Sequence, residues 1–281
     1  MNNDSNTNGH LTVFKKTIKK IFSSFSKKER ILFFALTGIF IIGLVSILWN
    51  INRTFMVEVP ASCGTLKEGV VGTPRFINPL LAISNADRDL TSLVYSGLLR
   101  REPSGNLIND LAEKYDVSED GLTYTFVLKG NIYFNDGVKI TADDVLFTIK
   151  KAQDSVLKSP KRASWDGVTI KKIDNKTIVF TLKSPYSLFL ENTTLGILPK
   201  HIWENIVSEQ FNFSKYNINP IGNGPYKISK ISKNSSGIPE YYELKPFKKW
   251  SIKKAFISNI RISFYPNEKS IVTAFTNGDI D

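Results

Sequence analysis

One cysteine and two histidines in 281 residues leave little room for several kinds of chemistry. Cys63 has no partner within the chain, so no internal disulfide forms and a folded domain must be held by its core. His10 falls in the polar N-terminal stretch, which leaves His201 as the single imidazole beyond residue 60. Zinc centres built from several His and Cys ligands cannot be assembled from that supply. A Ser-His-Asp arrangement would depend on His201, yet no G-x-S-x-G turn accompanies it. In Leu198-Pro199-Lys200-His201 the imidazole reads as a surface or helix-capping group. Asp143 and Asp144 stand side by side at a helix start, where carboxylates favour the helix dipole. Adjacent residues there point in different directions, a poor arrangement for a glycosidase pair. Heptads, internal repeats and low-complexity tracts are missing too. No catalytic residue, no metal and no cofactor is expected.

The net charge of +11 invites a nucleic-acid reading, but its distribution opposes one. Residues 1–60 carry eight Lys/Arg and three Asp/Glu, and the longer remainder carries only +6, with both signs mixed. No basic stripe interleaved with aromatics tracks a phosphate backbone. Pairs such as Lys248-Lys249 and Lys253-Lys254 read as solvated surface.

The N-terminal segment gives a clear physical signal. Ile31 to Leu48 is an uncharged run, ILFFALTGIFIIGLVSIL, followed by Trp49 where an interfacial aromatic belongs. As a helix it spans about 27 Å, close to the roughly 30 Å hydrocarbon core of a bilayer. Lys15, Lys16, Lys19, Lys20, Lys27, Lys28 and Arg30 precede it against one nearby acid, Glu29. The positive-inside rule puts residues 1–30 in the cytoplasm and everything after the span, 31–49, outside. Small-x-small spacing is absent from the end of the run, so an uncleaved signal anchor is expected rather than a signal peptide. Ala61-Ser62-Cys63 faintly resembles a lipoprotein site, but Pro60 stands where an aliphatic residue belongs. Residues 50–63 read as a tether.

Folded sequence begins near Gly64, and Leu66 to Gly72 suits a strand. Asn85 is placed to cap a helix whose apolar face is Leu90, Leu93, Val94 and Leu98. Leu122 to Leu128 alternates strictly, and Asp120-Gly121 before it signals a hairpin with Lys114 to Val117. A second turn at Asn135-Asp136-Gly137 separates two short runs. Thr141 and Asp144 are spaced for a capping box, opening a helix with Val145, Leu146, Ile149 and Ala152 on one side. Val168–Ile173 and Thr177–Leu182 form a further strand pair around Asp174-Asn175. Ser184-Pro185 reads as a helix start, and Pro225-Tyr226 leads into a strand. Strand pairs with helices between them indicate a mixed α/β protein. Gly222-Asn223-Gly224-Pro225 superficially suggests a phosphate loop, but the proline removes a donor and a strand follows. The loop reads instead as a tight connection whose glycines supply backbone angles closed to branched residues.

The run LAEKYDVSEDGLTYTFVLKGNIYFNDGVKITADDVLFTIKKA, Leu111–Ala152, resembles the signature region of the family 5 solute-binding proteins, the dipeptide- and oligopeptide-binding receptors of ABC importers. Further matches follow in the family's order. They are Ile77-Asn78-Pro79-Leu80, Leu93 to Leu99, Thr181 to Tyr186, Ile197 to His201, Ile221 to Tyr226 and Asn277 to Asp281. The resemblance covers roughly Gly64 to Asp281.

It implies an α/β, periplasmic-binding-protein-like fold of class II, a mixed sheet-and-helix lobe with an extra subdomain at about 97–193, behind one transmembrane helix. The family's second large lobe begins where these motifs stop, so residues 64–281 are expected to hold an incomplete domain without it. The bound peptide runs like an added β-strand in such receptors. By position, Ile83, Ser84 and Asn85 would line the first-lobe side of the cleft, and Trp165 falls near where the subdomain reaches the ligand. Groups holding a peptide's amino terminus would lie in the second lobe. The implied partners are a peptide or other small solute, ABC permease subunits and the membrane, with a monomeric receptor outside the cytoplasm. Relatives binding nickel chelates, oligosaccharides or opines keep the ligand open, and an anchored sensor without transport is the rival of another class.

Overall fold

The computed structural model describes residues 25–55, 63–250, 252 and 255–281. The basic tail up to residue 24, the tether residues 56–62 and the Lys253-Lys254 pair lie outside the described residues. The chain divides into two units, Met1–Pro60 and Ala61–Asp281.

In the first unit, α1 runs from Lys27 to Phe55. Ser26 and Glu29 start it: the Ser26 amide donates to Glu29 Oε2 at 2.7 Å and the Glu29 amide to Ser26 Oγ at 3.4 Å. That reciprocal pair explains why the helix begins before the uncharged run. Its stretch Lys27–Ile51 is long and apolar enough to cross a membrane, and none of it is buried. Residues 50–55, assigned above to a tether, continue the helix.

In the second unit, two four-stranded sheets share one hydrophobic core. β1 (Thr65–Val71) is followed by α2 (Asn85–Val94), then by β2 (Leu99–Arg101) and β3 (Leu107–Asn109), which pair as a short hairpin. Next come β4 (Ala112–Val117), β5 (Thr123–Leu128), α3 (Ala142–Gln153), α4 (Arg162–Trp165), β6 (Thr169–Lys172) and β7 (Thr177–Thr181). Their sheet has the order β4-β5-β7-β6 and is antiparallel throughout. Short α5 (Phe189–Asn192) and α6 (Lys200–Trp203) lead to β8 (Tyr226–Lys233), β9 (Pro239–Pro246), β10 (Asn259–Tyr265) and α7 (Glu268–Thr276). The other sheet has the order β1-β10-β9-β8, with β1 and β10 parallel.

The strict alternation in β5 is its burial pattern: Tyr124, Phe126 and Leu128 point inward. In register opposite them, Phe126 pairs with Ile178 and Tyr124 with Phe180 of β7. Phe126, Phe180, Phe189 and Trp165 then pack ring against ring at 5.7 to 5.8 Å. Gly121 in the β4–β5 turn has φ +66°, the conformation that selects glycine there. The turn at residues 135–137 joins only an isolated bridge, Tyr133 to Lys139, rather than two strands. Likewise Ser184-Pro185 does not open a helix; α5 waits until Phe189.

α3 begins as its spacing suggests. The Asp144 carboxylate accepts the Thr141 amide at 2.8 Å and hydroxyl at 3.1 Å, and also the Lys200 amide at 2.9 Å. Asp143 faces elsewhere, with Lys172 Nζ at 2.6 Å. Burial pushes the Asp144 carboxyl above its ordinary value, outweighing the bonds that lower it. The folded chain therefore holds this proton more tightly than the unfolded chain. Its contribution is present below the unfolded value of 3.8 and is lost as pH rises through the folded one. Asp144→Asn is expected to flatten that decline whatever it does to absolute stability. Urea unfolding of the two proteins from about pH 4 to about pH 7 reads the difference, and parallel curves would show the group to be silent.

His201 sits at the surface, with its Nε2 2.8 Å from Asp136 Oδ2 and its ring against Phe134. It therefore ties α6 to the turn at residues 135–137.

Candidate ligand-binding site

The segment before α2 is fixed by one buried carboxylate. Asp87, 3% exposed, accepts the amides of Arg75 at 2.7 Å and Phe76 at 2.8 Å through Oδ1, and of Ser84 at 3.1 Å through Oδ2. The Asp87 amide in turn donates to Ser84 Oγ at 3.1 Å, so the helix cap is Ser84 and Asn85 is the first helical residue. This moves the cap one position from where Asn85 suggested it, because Asp87 stands three residues after Ser84 and closes a capping box.

The Asn78-Pro79-Leu80 motif is pinned just as tightly. Asn78 Oδ1 accepts the Leu80 amide at 2.9 Å, its Nδ2 donates to Asn217 Oδ1 at 3.0 Å, and Ser159 Oγ donates to the Leu80 carbonyl at 2.6 Å. These bonds join residues distant in sequence around the loop that carries Ile83.

After α2 the chain passes through a crowded junction. The Leu98 amide donates to Thr193 O at 2.9 Å, the Leu111 amide to Gly97 O at 3.1 Å and the Ile197 amide to Ser96 O at 3.0 Å. Asn223 Oδ1 accepts the Ser96 amide at 2.9 Å, and the Gly224 amide donates to Val94 O at 2.7 Å. Neither Gly222 nor Gly224 has a positive φ. Their glycine requirement is one of space, not of backbone angle: a Cβ on Gly222 would lie 2.1 Å from Val94 O, and one on Gly224 2.6 Å from Val94 C. The tight connection seen in the sequence is therefore a close approach to the end of α2.

Between α2, α4 and α5 lies a pocket of about 250 Å³ whose lining includes Pro79, Arg88, Tyr95, Lys161, Trp165 and Glu191. Trp165 is 1% exposed and packs on Phe180 and Phe189, so it belongs to the core while also forming part of this wall. Gln153 Nε2 holds its turn by donating to Trp165 O at 2.8 Å and Val168 O at 2.7 Å. Ile83 is 64% exposed, and Ser84 and Asn85 are exposed beside it. Arg88 connects the two groups. Its Nη1 donates to Ile83 O at 2.5 Å and its Nη2 to Asn85 Oδ1 at 2.5 Å, and the same side chain lines the pocket with Trp165. A second cavity of about 530 Å³ shares Ser164 and Asn192 with the first.

Arg88, Thr91, Ser92 and Tyr95 were not singled out from the sequence. Their spacing was a usable signal, since residues 88, 91 and 92 fall on one stripe of α2 and Tyr95 follows at its C-terminal cap, beside the buried Leu90 and Val94.

Similar architectures occur among solved structures. The oligopeptide-binding protein AppA from Bacillus subtilis, in complex with a nonapeptide, superposes with TM-score 0.73 and 25% identity, over 79% of this chain and 44% of AppA. NikZ from Campylobacter jejuni, in complex with Ni(L-His), gives TM-score 0.69 and 33% identity over 79% of this chain and 43% of its own. AgaA from A. tumefaciens R10, in complex with agropinic acid, gives 0.69 and 25% over 78% and 43%. The fold is thus that of a periplasmic binding protein. Residues 106–281 match the family described as bacterial extracellular solute-binding proteins, family 5, and the chain belongs to that family. By sequence, AppA is 26% identical over 226 residues, which are 79% of this chain and 41% of the AppA sequence. The chain thus spans less than half the length of these relatives.

Proposed function

We propose that this chain is the substrate-binding component of an ABC importer, receiving a peptide-like solute on the face that carries the α2 pocket and passing it to a permease without chemical change. The observation that supports this reading is Arg88, which lines the cavity with Trp165 and reaches back to the Ile83 carbonyl and the Asn85 side chain. Ser84 serves there through its cap, which sets the loop, and Ile83 offers an exposed apolar side chain. The adjoining larger cavity suits a ligand longer than one residue. AppA, with its nonapeptide, supports a peptide; NikZ and AgaA support a second reading, the same receptor design with a nickel chelate or an opine. In this proposal α1 holds a monomeric receptor in the membrane, with residues 1–30 in the cytoplasm and the second unit outside.

In this proposal residues 64–281 supply one wall of the site, open to water. Each hydrogen bond to a ligand still in contact with water nets about 0.5–1.5 kcal/mol, whereas micromolar binding needs about 8 kcal/mol. Calorimetry on the full chain in detergent is therefore expected to show millimolar binding of di- to pentapeptides. A response to nickel–histidine or agropinic acid with silence toward peptides would replace the ligand. Protease added to spheroplasts should digest the second unit and spare an N-terminal tag; the reverse pattern would invert the topology.

A further inference from the structure

We infer that Thr91 on α2 and Tyr95, the residue that caps its C-terminal end, form a subsite that reads a carboxylate of the solute. The inference rests on the peptide-type reading above and assigns chemistry to its pocket. Both residues line that pocket, and both hydroxyl oxygens are buried without a hydrogen-bond partner among the described residues. Buried polar groups are nearly always paired, and leaving one unpaired is unfavourable, so two such hydroxyls on residues that line one cavity mark a place where a small adjustment of the wall lets a partner arrive from outside. Tyr95 is 5% exposed, and burial pushes its phenol far above its ordinary value, so it stays protonated and able to donate.

The charges around the pocket select the partner. Arg88 and Lys161 line it against a single acid, Glu191, and that acid is already engaged by Arg101. Arg88 spends its hydrogen bonds on two neutral acceptors, the Ile83 carbonyl and the Asn85 amide oxygen, and makes no ion pair among the described residues. An incoming carboxylate brings two acceptor oxygens for two hydroxyl donors and meets an excess of positive charge. A carboxamide or an ammonium would forgo one or both of these gains.

The test uses the full chain in detergent, labelled with 3-fluorotyrosine, with the Tyr95 fluorine line identified by its loss in Tyr95→Phe. Trialanine, trialanine amide and N-acetylglycine are titrated separately. Trialanine and N-acetylglycine are expected to move the Tyr95 line, and the amide to bind about tenfold more weakly than trialanine. Thr91→Val should weaken trialanine about tenfold and bring acid and amide together, as should Tyr95→Phe followed on the remaining lines. Neither variant should melt at a lower temperature than the parent, because each removes an oxygen that lacks a partner in the unliganded protein. Equal binding of acid and amide, or movement of other lines without Tyr95, would overturn the subsite and leave peptide binding intact. Movement of Tyr95 by N-acetylglycine alone would keep the subsite and remove the peptide. Silence toward all three would end both readings.

Discussion

Replacing Gly222 by Val is expected to lower the unfolding free energy by about 3 kcal/mol or more. A Cβ at this position would lie 2.1 Å from Val94 O, 2.6 Å from Val94 Cγ1 and 3.0 Å from Val94 C. Two of these three atoms are backbone, and neither side of the contact is free to retreat. On one side the Gly222 carbonyl accepts the Asn135 amide at 2.7 Å and Asn223 bonds to Ser96. On the other, Val94 O accepts the Gly224 amide and Val94 is wholly buried. Since φ at Gly222 is not positive, Gly222→Ala should suffer for the same steric reason. Gly130→Ala serves as the control, because its Cβ would meet only the flexible end of Lys176 at 3.5 Å. Urea unfolding followed by circular dichroism should rank Gly222→Val lowest and Gly130→Ala near the parent. Equal stabilities for Gly222→Ala and Gly130→Ala would show that the close approach is not maintained in solution.

Asp87→Ala is the second large effect, expected at about 3–5 kcal/mol. The carboxylate is buried and holds the amides of Arg75, Phe76 and Ser84 at 2.7 to 3.1 Å. Alanine would strand these donors under the loop that presents Ile83, and with them the Ile83 amide, which reaches Asp87 Oδ2 at 3.4 Å. Asp87→Asn keeps one acceptor oxygen and should lose less. Beyond global stability, hydrogen exchange at the Phe76 and Ser84 amides should quicken in both variants, more in Asp87→Ala. Protected amides and an unchanged urea midpoint would mean that water replaces the carboxylate without loss. Because the same loop carries the exposed isoleucine, ligand affinity should fall with the amide protection.

Much of the fold was legible because it is written in short-range patterns. The alternation of Leu122 to Leu128 marked β5 and its inward face, and Asp120-Gly121 marked the turn that precedes it. Thr141 and Asp144 announced α3 before any contact was known. The β2–β3 hairpin escaped notice, since each strand has three residues and neither shows an alternating run. β10 escaped for a different reason: its place is set by a parallel partner, β1, that no local signal indicates. The glycines at 222 and 224 were read correctly as constrained but for the wrong cause. Sequence shows that glycine is present, and only the packed structure shows whether an angle or a neighbouring carbonyl demands it. At the site, the family resemblance pointed to Ile83, Ser84, Asn85 and Trp165. The residue that connects them, Arg88, became visible only when its guanidinium reached back to the loop. Tyr95 was hidden for a similar reason, because an unpartnered hydroxyl is a statement about its surroundings rather than its identity.

The parallel pairing of β1 with β10 also sets a timetable. Residue 65 lies beside residue 259, so β1 waits for a strand made much later before it is paired. β4 with β5 and β6 with β7, by contrast, close as local hairpins at little loop-closure entropy, and β5 meets β7 across a span far shorter than that from β1 to β10. A chain emerging N-terminus first therefore completes the inner β4-β5-β7-β6 sheet while β1 and the apolar face of α2 stand uncovered. During that interval Leu66, Val70, Leu90 and Val94 are the groups most exposed to wrong partners. A delay in synthesis or export between residues 181 and 259 lengthens their exposure, and slow translation there would be felt as aggregation rather than as a loss of native stability.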